Sequence, residues 1–204
     1  MSPGTEAGSR RDAILGRAVD LASVEGLEGL TIGRLASDLE MSKSGLFDHF
    51  GSKEGLQLAT VERATEILWH EVVEPAASAE PGLDRLRALI DGYMGYLERG
   101  VLPGGCFMFA AAAEFDGRPG PVRDAIAQAS REWARELENQ AELGRERNEL
   151  PADTDPAQLV FELSAFATRA NASYQLHGDR LVFERARAAI ARSIGEQQGS
   201  PGSG

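Results

Sequence analysis

Few side chains in this 204-residue chain have the types and spacing that catalysis or metal binding requires. His70, Glu71 and Glu74 match the first part of a His-Glu-x-x-His motif, but the second histidine of that zinc site is absent. His70 and Glu74 could share an ion, although a solvated helix face is the better interpretation because the chain holds only three histidines. No Ser-His-Asp order, glycine-rich phosphate loop or pair of carboxylates indicates catalysis. We therefore expect no metal, no cofactor and no enzymatic activity.

The single cysteine, Cys106, has two interpretations. A redox role or a ligand contact would require an accessible thiolate. The neighbours Phe107, Met108 and Phe109 are apolar, which favours a buried thiol with a structural role. One cysteine also excludes an intrachain disulfide, so we expect a reducing, cytoplasmic location.

The segment from Thr31 to Lys53 combines basic, small and hydroxyl side chains that suit contacts with nucleic acid. Lys53 opens a helix, where an ammonium group and free backbone N–H groups can bind one phosphate. Ser44 and Gly45 are small enough to let a helix enter a DNA major groove. His49 could pack at a helix end, but its place in this segment favours a phosphate contact. The candidate contacts are Thr31, Arg34, Ser42, Lys43, Ser44, Gly45, Phe47, His49 and Lys53.

The overall charge limits how such contacts could work. Lys and Arg number 21 and Asp and Glu number 32, and the net charge of −11 excludes a protein whose whole surface binds nucleic acid. Residues 1–55 hold six basic and nine acidic groups, so binding must rest on a local patch. The longest apolar run, residues 106–113, is shorter than the about 20 residues that span a bilayer, so we expect no membrane partner.

Apolar residues recur at helical spacing along almost the whole chain, and no useful length alternates as a strand would. The pattern predicts an all-α fold of nine helices between disordered tails at residues 1–9 and 199–204. A helix-turn-helix domain would occupy residues 10–51, and a six-helix body would occupy residues 52–198. The predicted helices lie at about 10–25, 31–39, 42–50, 52–73, 83–97, 106–115, from 121 to before 151, 156–176 and 180–197.

The second and third helices are separated only by Glu40 and Met41. Such a short connection predicts a helix-turn-helix, in which the third helix stands across the second. Leu46 and Phe50 would then face inward, toward Leu35 and the first helix. The opposite face would present Lys43, Ser44, Gly45, Phe47 and His49.

This segment resembles the tetracycline-repressor (TetR) family of bacterial transcription regulators. Family members have a first helix that ends at glycine, here Gly26, a Thr-rich helix start, here Thr31, and a Leu-Ala pair, here Leu35-Ala36. They continue with a run of the form Val-Ser-Lys-Gly-x-Leu-Tyr-x-His-Phe-x-Ser-Lys-Glu-x-Leu. The corresponding run here extends from Met41 to Leu56 and agrees at most positions in order.

The resemblance implies a homodimer that binds a near-palindromic operator in double-stranded DNA and represses transcription. It also implies a small-molecule inducer in the larger domain, whose binding tilts the fourth helix and changes the spacing of the two recognition helices. Two positions depart from the family: the turn glycine is Glu40, and the recognition-helix tyrosine is Phe47. These departures and the acidic charge support the alternative of a helical ligand-binding or catalytic protein without DNA activity.

Aromatic residues after the helix-turn-helix predict the inducer site. Tyrosine and tryptophan combine a large apolar surface with one polar group, as ligand cavities require. We expect a mostly apolar ligand, and Glu114 is either exposed or a polar partner in that pocket. The candidate pocket residues are Trp69, Tyr93, Tyr96, Phe107, Phe109, Trp133 and Phe166.

The last two helices carry stripes that predict the dimer interface. The stripe of the eighth helix repeats at spacings of four, three and four, and small residues on the ninth helix allow close approach. The alternative is that both stripes face the core of their own subunit. The candidate interface residues are Leu163, Ala167, Ala170, Tyr174, Ala186, Ala189 and Ile190.

Overall fold

The structure, a computed structural model, describes residues 3–195, and the side chains of residues 10–195. Over these residues the chain forms nine helices and no strand, which confirms the predicted all-α class. The fourth helix continues through a π-helical turn, Trp69–Val73, into a short α-helical end, Glu74–Ala76. The nine helices are α1 (Pro3–Glu25), α2 (Ile32–Asp38), α3 (Lys43–Phe50), α4 (Lys53–Leu68), α5 (Leu83–Arg99), α6 (Phe107–Phe115), α7 (Pro121–Glu146), α8 (Pro156–His177) and α9 (Leu181–Ser193).

Side-chain caps explain where several helices begin. Thr31, Ser42 and Ser52 each lie just before a helix, and each hydroxyl accepts a hydrogen bond from a backbone N–H in the first turn. Asp155 caps α8 in the same way. The Thr31 and Ser42 caps lie at the predicted starts of the second and third helices.

The first helix is longer at its N-terminus than the sequence predicted. The backbone is helical from Pro3, so α1 begins earlier than the predicted start at about Arg10. Residues 1 and 2 and the predicted C-terminal tail at 199–204 lie outside the described residues. Within the described residues, no helix has both the length and the apolarity that crossing a membrane requires.

The chain divides into two compact units. Unit 1 consists of Met1–Trp69 and Gly100–Arg131, and unit 2 consists of His70–Arg99 and Glu132–Gly204. In unit 1, α1 packs against α2, α4 and α6. In unit 2, α8 and α9 form a pair that packs against α5. The functional boundary predicted between residues 51 and 52 stays a prediction, because these units are defined by packing alone.

Candidate functional site

Helix α3 presents one buried face and one exposed face. Leu46 and Phe50 are buried, whereas Lys43, Ser44, Phe47 and His49 are exposed and Gly45 is partly exposed. The Ser42 hydroxyl accepts a hydrogen bond from the Gly45 N–H at 3.2 Å, which orients the first turn. These are the inner and outer faces that the sequence predicted.

The turn before α3 requires a left-handed backbone. Glu40 has φ of +53°, and the N–H of the next residue, Met41, donates to the Ala36 carbonyl at 2.9 Å. A side chain with a Cβ is strained in this region, and glycine is not. The turn therefore keeps the conformation that glycine would favour, although it carries glutamate.

Two of the predicted DNA contacts are engaged inside unit 1. The Thr31 hydroxyl accepts the Arg34 N–H at 3.0 Å, so it acts as a helix cap. The Arg34 guanidinium donates to Glu25 and lies 3.5 Å from an Asp38 oxygen, and Asp38 also accepts from Arg17. The sequence did not predict the Arg34–Glu25 and Arg17–Asp38 pairs, because each joins α1 to α2.

Lys53 is also paired. Its Nζ lies 2.8 Å from one carboxylate oxygen of Glu28, and Arg118 lies 3.1 Å from the other. The backbone N–H of Glu28 donates to a Glu114 oxygen at 2.9 Å. Glu114 therefore caps the loop between α1 and α2, a role that neither interpretation of it from the sequence included.

Lys43 and His49 remain on the exposed face. Among the described residues, no carboxylate lies within ion-pair distance of Lys43. The His49 ring lies next to Phe50, and the guanidinium of Arg11 lies over the same Phe50 ring at 5.9 Å. Arg11 is exposed and adds a basic group beside the end of α3 that the candidate set omitted.

The ion pairs change the acidity of their carboxyl groups. The hydrogen bond from Arg17 lowers the pKa of Asp38, and the one from Arg34 lowers the pKa of Glu25. The hydrogen bond from Lys53 likewise lowers the pKa of Glu28. Glu25, Glu28 and Asp38 are therefore paired with Arg or Lys, whereas α3 itself exposes Asp48 beside Lys43 and His49.

The predicted pocket residues do not form one cluster in either unit. Tyr93 and Tyr96 are buried in unit 2, with ring centroids 6.2 Å apart, and Trp133 lies 5.5 Å from Tyr93. Phe166 instead lines a cleft between α8 and α9. Trp69, Phe107 and Phe109 belong to unit 1, where Phe107 is buried and Phe109 is exposed.

The predicted dimer stripe stays a prediction. Most of its residues are buried within unit 2, which is the alternative that the sequence left open, and only Tyr174 and Ala189 are partly exposed. The buried residues are Leu163, Ala167, Ala170, Ala186 and Ile190. Apolar side chains that the prediction omitted point outward instead, because Phe161 is 70% exposed and Leu176 is 77% exposed. Ala170, Ala186 and Ala189 of the predicted stripe line a cleft of about 280 Å³ between α8 and α9. The other residues that line it are Phe166, Arg169, Ser173, Val182 and Arg185.

The remaining candidates for chemistry are Cys106 and the pair of His70 and Glu74. Cys106 is buried and its sulfur accepts a hydrogen bond from the Phe109 N–H, which confirms the buried thiol. His70 Nδ1 lies 3.0 Å from Glu74 Oε2, and both side chains are exposed. Across residues 10–195, no group of three or more His, Cys, Asp or Glu side chains is placed to hold a metal ion.

Two family models match the chain. The model of bacterial regulatory proteins of the tetR family covers residues 14–60, which include the helix-turn-helix. The model of the tetracyclin repressor-like C-terminal domain covers residues 82–190, more than half of the chain. The chain belongs to the TetR family of DNA-binding transcription regulators.

Solved structures of the same family share the fold. A TetR regulator from Chloroflexus aurantiacus is 25% identical, with a TM-score of 0.86, and covers 95% of this chain and 98% of its own. SCO4454 from Streptomyces coelicolor is 23% identical, with a TM-score of 0.75 and 95% of each chain covered. AibR, solved with isovaleryl coenzyme A and operator DNA, is 21% identical, with a TM-score of 0.71, and covers 88% of this chain and 95% of its own. No curated protein sequence matches the chain.

Proposed function

We propose that this protein is a repressor that inserts α3 into the major groove of a near-palindromic operator. The observation that carries the proposal is the outward face of α3, where Lys43, Ser44, Phe47 and His49 are exposed beside a partly exposed Gly45. Small residues at the start of the helix allow close approach to base edges, and Lys43 and His49 supply phosphate contacts. Phe47 keeps an apolar ring for a thymine methyl contact but has no hydroxyl to donate.

Two copies of the chain would bind the two half-sites. Exposed Phe161 and Leu176 on α8, together with the cleft formed with α9, supply an apolar surface that a second copy would bury. A two-fold dimer matches the symmetry of a palindromic operator. Ala189 lines this cleft, so Ala189→Arg is expected to give a folded monomer with weak operator binding. An intact dimer of this variant in sedimentation would refute this interface.

A small, mostly apolar ligand would release the operator by binding in the C-terminal part of the chain. The buried rings of Tyr93 and Tyr96 and the neighbouring Trp133 support this choice, because aromatic walls recognise shape with few charges. The fold is compatible with both ligands, since AibR was solved with a coenzyme A ester and operator DNA. Tryptophan fluorescence across a chemically broad library tests this step, and stabilisation by charged metabolites alone would contradict it.

DNA binding is tested with a duplex taken from upstream of the gene that encodes this chain. We expect Lys43→Ala to weaken binding to all duplexes alike and to reduce the salt slope by about one. We expect Lys53→Ala to act in the same direction, because Lys53 lies at the N-terminus of α4. Unchanged affinity and slope in both variants would show that α3 and the start of α4 do not face DNA. A screen for compounds that release the duplex from the wild-type protein would identify the inducer.

A further inference from the structure

Glu28 lies between two cations in unit 1. Its two carboxylate oxygens are held separately, one by Lys53 Nζ at 2.8 Å and one by Arg118 at 3.1 Å. Lys53 opens α4, whereas Arg118 lies in the turn between α6 and α7. All three side chains are partly exposed, so solvent and a phosphate group can both reach them.

We propose that Glu28 competes with DNA phosphate for Lys53, and that Arg118 sets how strongly it competes. The proposal rests on the proposed function, in which Lys53 is a phosphate contact. A phosphate that approaches Lys53 must replace the Glu28 carboxylate, because one ammonium group cannot keep a close pair with the protein and give its full charge to DNA. The Glu28 carboxylate that leaves Lys53 therefore affects the salt dependence of binding in the way that a counterion bound to the protein does.

Arg118 gives Glu28 a second partner. When phosphate takes Lys53, the carboxylate keeps its pair with Arg118 and is not left without a cation. Removing Arg118 would leave the Glu28 carboxylate with Lys53 as its remaining cation. Separating Lys53 from Glu28 would then cost more free energy. The Arg118 guanidinium also lies over the Phe115 ring at 5.6 Å, which ties its position to the end of α6.

Side chains on α6 and α4 also hold the backbone around Glu28. Glu114 on α6 accepts the Glu28 N–H at 2.9 Å, and the Gln57 side chain on α4 donates to the Leu27 carbonyl at 2.9 Å. Gly26 has φ of +86°, and a Cβ added there would lie 2.0 Å from a Glu114 oxygen. The loop therefore follows α6 closely, so a displacement of the α6–α7 corner would change how Glu28 meets Lys53 and would alter DNA affinity.

The first test removes the competitor. Glu28→Gln keeps the shape of the side chain and frees Lys53, so we expect DNA affinity to rise about two- to fivefold, the ratio expected for one exposed ion pair. The salt slope should steepen by about one. Affinity is measured on the full chain with the upstream duplex over a series of salt concentrations, and melting temperature confirms that each variant is folded.

A matched control separates competition from a general loss of negative charge. Glu54 is exposed, lies next to Lys53 in the first turn of α4, and makes no ion pair with any described residue. Glu54→Gln should change affinity by less than about twofold, as expected for an exposed charge without a close partner. If Glu54→Gln raises affinity as much as Glu28→Gln, the competition is overturned.

The second test concerns Arg118. Arg118→Gln should weaken DNA binding about two- to fivefold, on the same scale for one exposed ion pair. In the Glu28→Gln background the same change should have no effect, because no carboxylate remains to be held. An equal loss in both backgrounds would show that Arg118 contacts DNA directly, and would overturn its proposed role.

Lys53→Ala distinguishes failure of this inference from failure of the proposed function. Glu28→Gln should lose its effect in the Lys53→Ala background, since the contested cation is absent. If Lys53→Ala weakens binding while Glu28→Gln leaves it unchanged, the competition is wrong and the proposed function stands. If Lys53→Ala, Lys43→Ala and the change of Gly45 to leucine all bind like the wild type, the proposed DNA-binding surface itself is wrong.

Discussion

Helices α3 and α8 both expose side chains that their own chain leaves uncovered, but the chemistry of the two surfaces differs. The exposed face of α3 carries the polar residues Lys43, Ser44, Asp48 and His49 and one aromatic ring, Phe47, which is 55% exposed. The exposed face of α8 carries Phe161 and Leu176, at 70% and 77%. A polar, charged face suits a charged and hydrated partner, whereas an apolar face gains free energy from being removed from water.

The proposed function gives each surface one partner. DNA phosphates and base edges fit α3, because hydrogen bonds and ion pairs dominate such interfaces. A second copy of the chain fits α8 and α9, because large apolar groups at the surface mark protein interfaces. Gly45→Leu and Phe161→Ser test this assignment directly and have the largest expected effects. Glu40→Gly and Asp38→Asn test the turn before α3 and an ion pair between α1 and α2.

Gly45→Leu should abolish specific operator binding, with a loss of about a hundredfold or more, because the added side chain keeps α3 out of the groove. An added Cβ alone would lie 3.1 Å from the Ser42 hydroxyl, so circular dichroism should confirm that the helix still forms. Gly16→Leu is the control, since a Cβ on this α1 residue meets nothing within 4 Å. If Gly45→Leu binds the operator like the wild type, α3 is not part of the DNA interface.

Phe161→Ser should weaken the dimer and leave the fold intact. Burial of such a ring contributes about 2 kcal/mol. A two-fold interface contains it twice, so the dimer dissociation constant should rise roughly 100- to 1000-fold. Val24→Ser is the control, because Val24 is another exposed apolar residue but lies at the end of α1. If sedimentation shows equal dimerisation of Phe161→Ser and the wild type, the dimer interface does not include Phe161.

Glu40→Gly should raise the free energy of unfolding by about 0.5–1 kcal/mol. The left-handed conformation costs a non-glycine residue about 1–2 kcal/mol, and the entropy of glycine in the unfolded chain offsets part of the gain. Asn148 also has positive φ, at +60°, but asparagine tolerates this region, so Asn148→Gly should gain less. Urea unfolding measures both, and a destabilised Glu40→Gly variant would contradict the strain at this turn.

Asp38→Asn should flatten the pH dependence of stability in acid. The pKa of Asp38 is lowered in the folded state by Arg17, so its contribution is present above the unfolded value of about 4 and is lost as pH falls through the folded value. Burial raises the pKa of Asp20, so Asp20→Asn should have the opposite sign and increase stability at neutral pH. Urea unfolding between neutral and acid pH gives both slopes, and equal slopes in all three proteins would refute the paired state of Asp38.

The two exposed faces also differ in how well the sequence predicts them. Helix α3 has Leu46 and Phe50 on one side and polar or small residues on the other, so one orientation is possible and the prediction is confirmed. Helix α8 has large apolar residues on both sides, including Phe161 and Leu163. Helical spacing alone cannot tell which of these faces the core, and the predicted stripe proved to be mostly the buried one.

Pairs between helices were beyond the reach of the sequence. Arg34 and Lys53 were predicted as DNA contacts from their place in the motif, yet they meet Glu25 and Glu28, which lie on α1 and in the loop after it. Such partners depend on how α1 packs against α2 and α4. The resemblance placed the turn glycine of the family at Glu40, but the residue type did not indicate that glutamate keeps the left-handed conformation there.

Hydroxyl-radical footprinting of the upstream duplex tests the central claim most directly, because it requires both surfaces at once. If α3 binds DNA and α8 and α9 join two copies, the protein will protect two related half-sites on one face of the duplex, about one helical turn or a multiple of it apart. Ala189→Arg should lose the paired protection at the same protein concentration. Protection of a single site by a dimer would contradict the account. The account would also be contradicted if the protein protects no site at any concentration at which it is monodisperse.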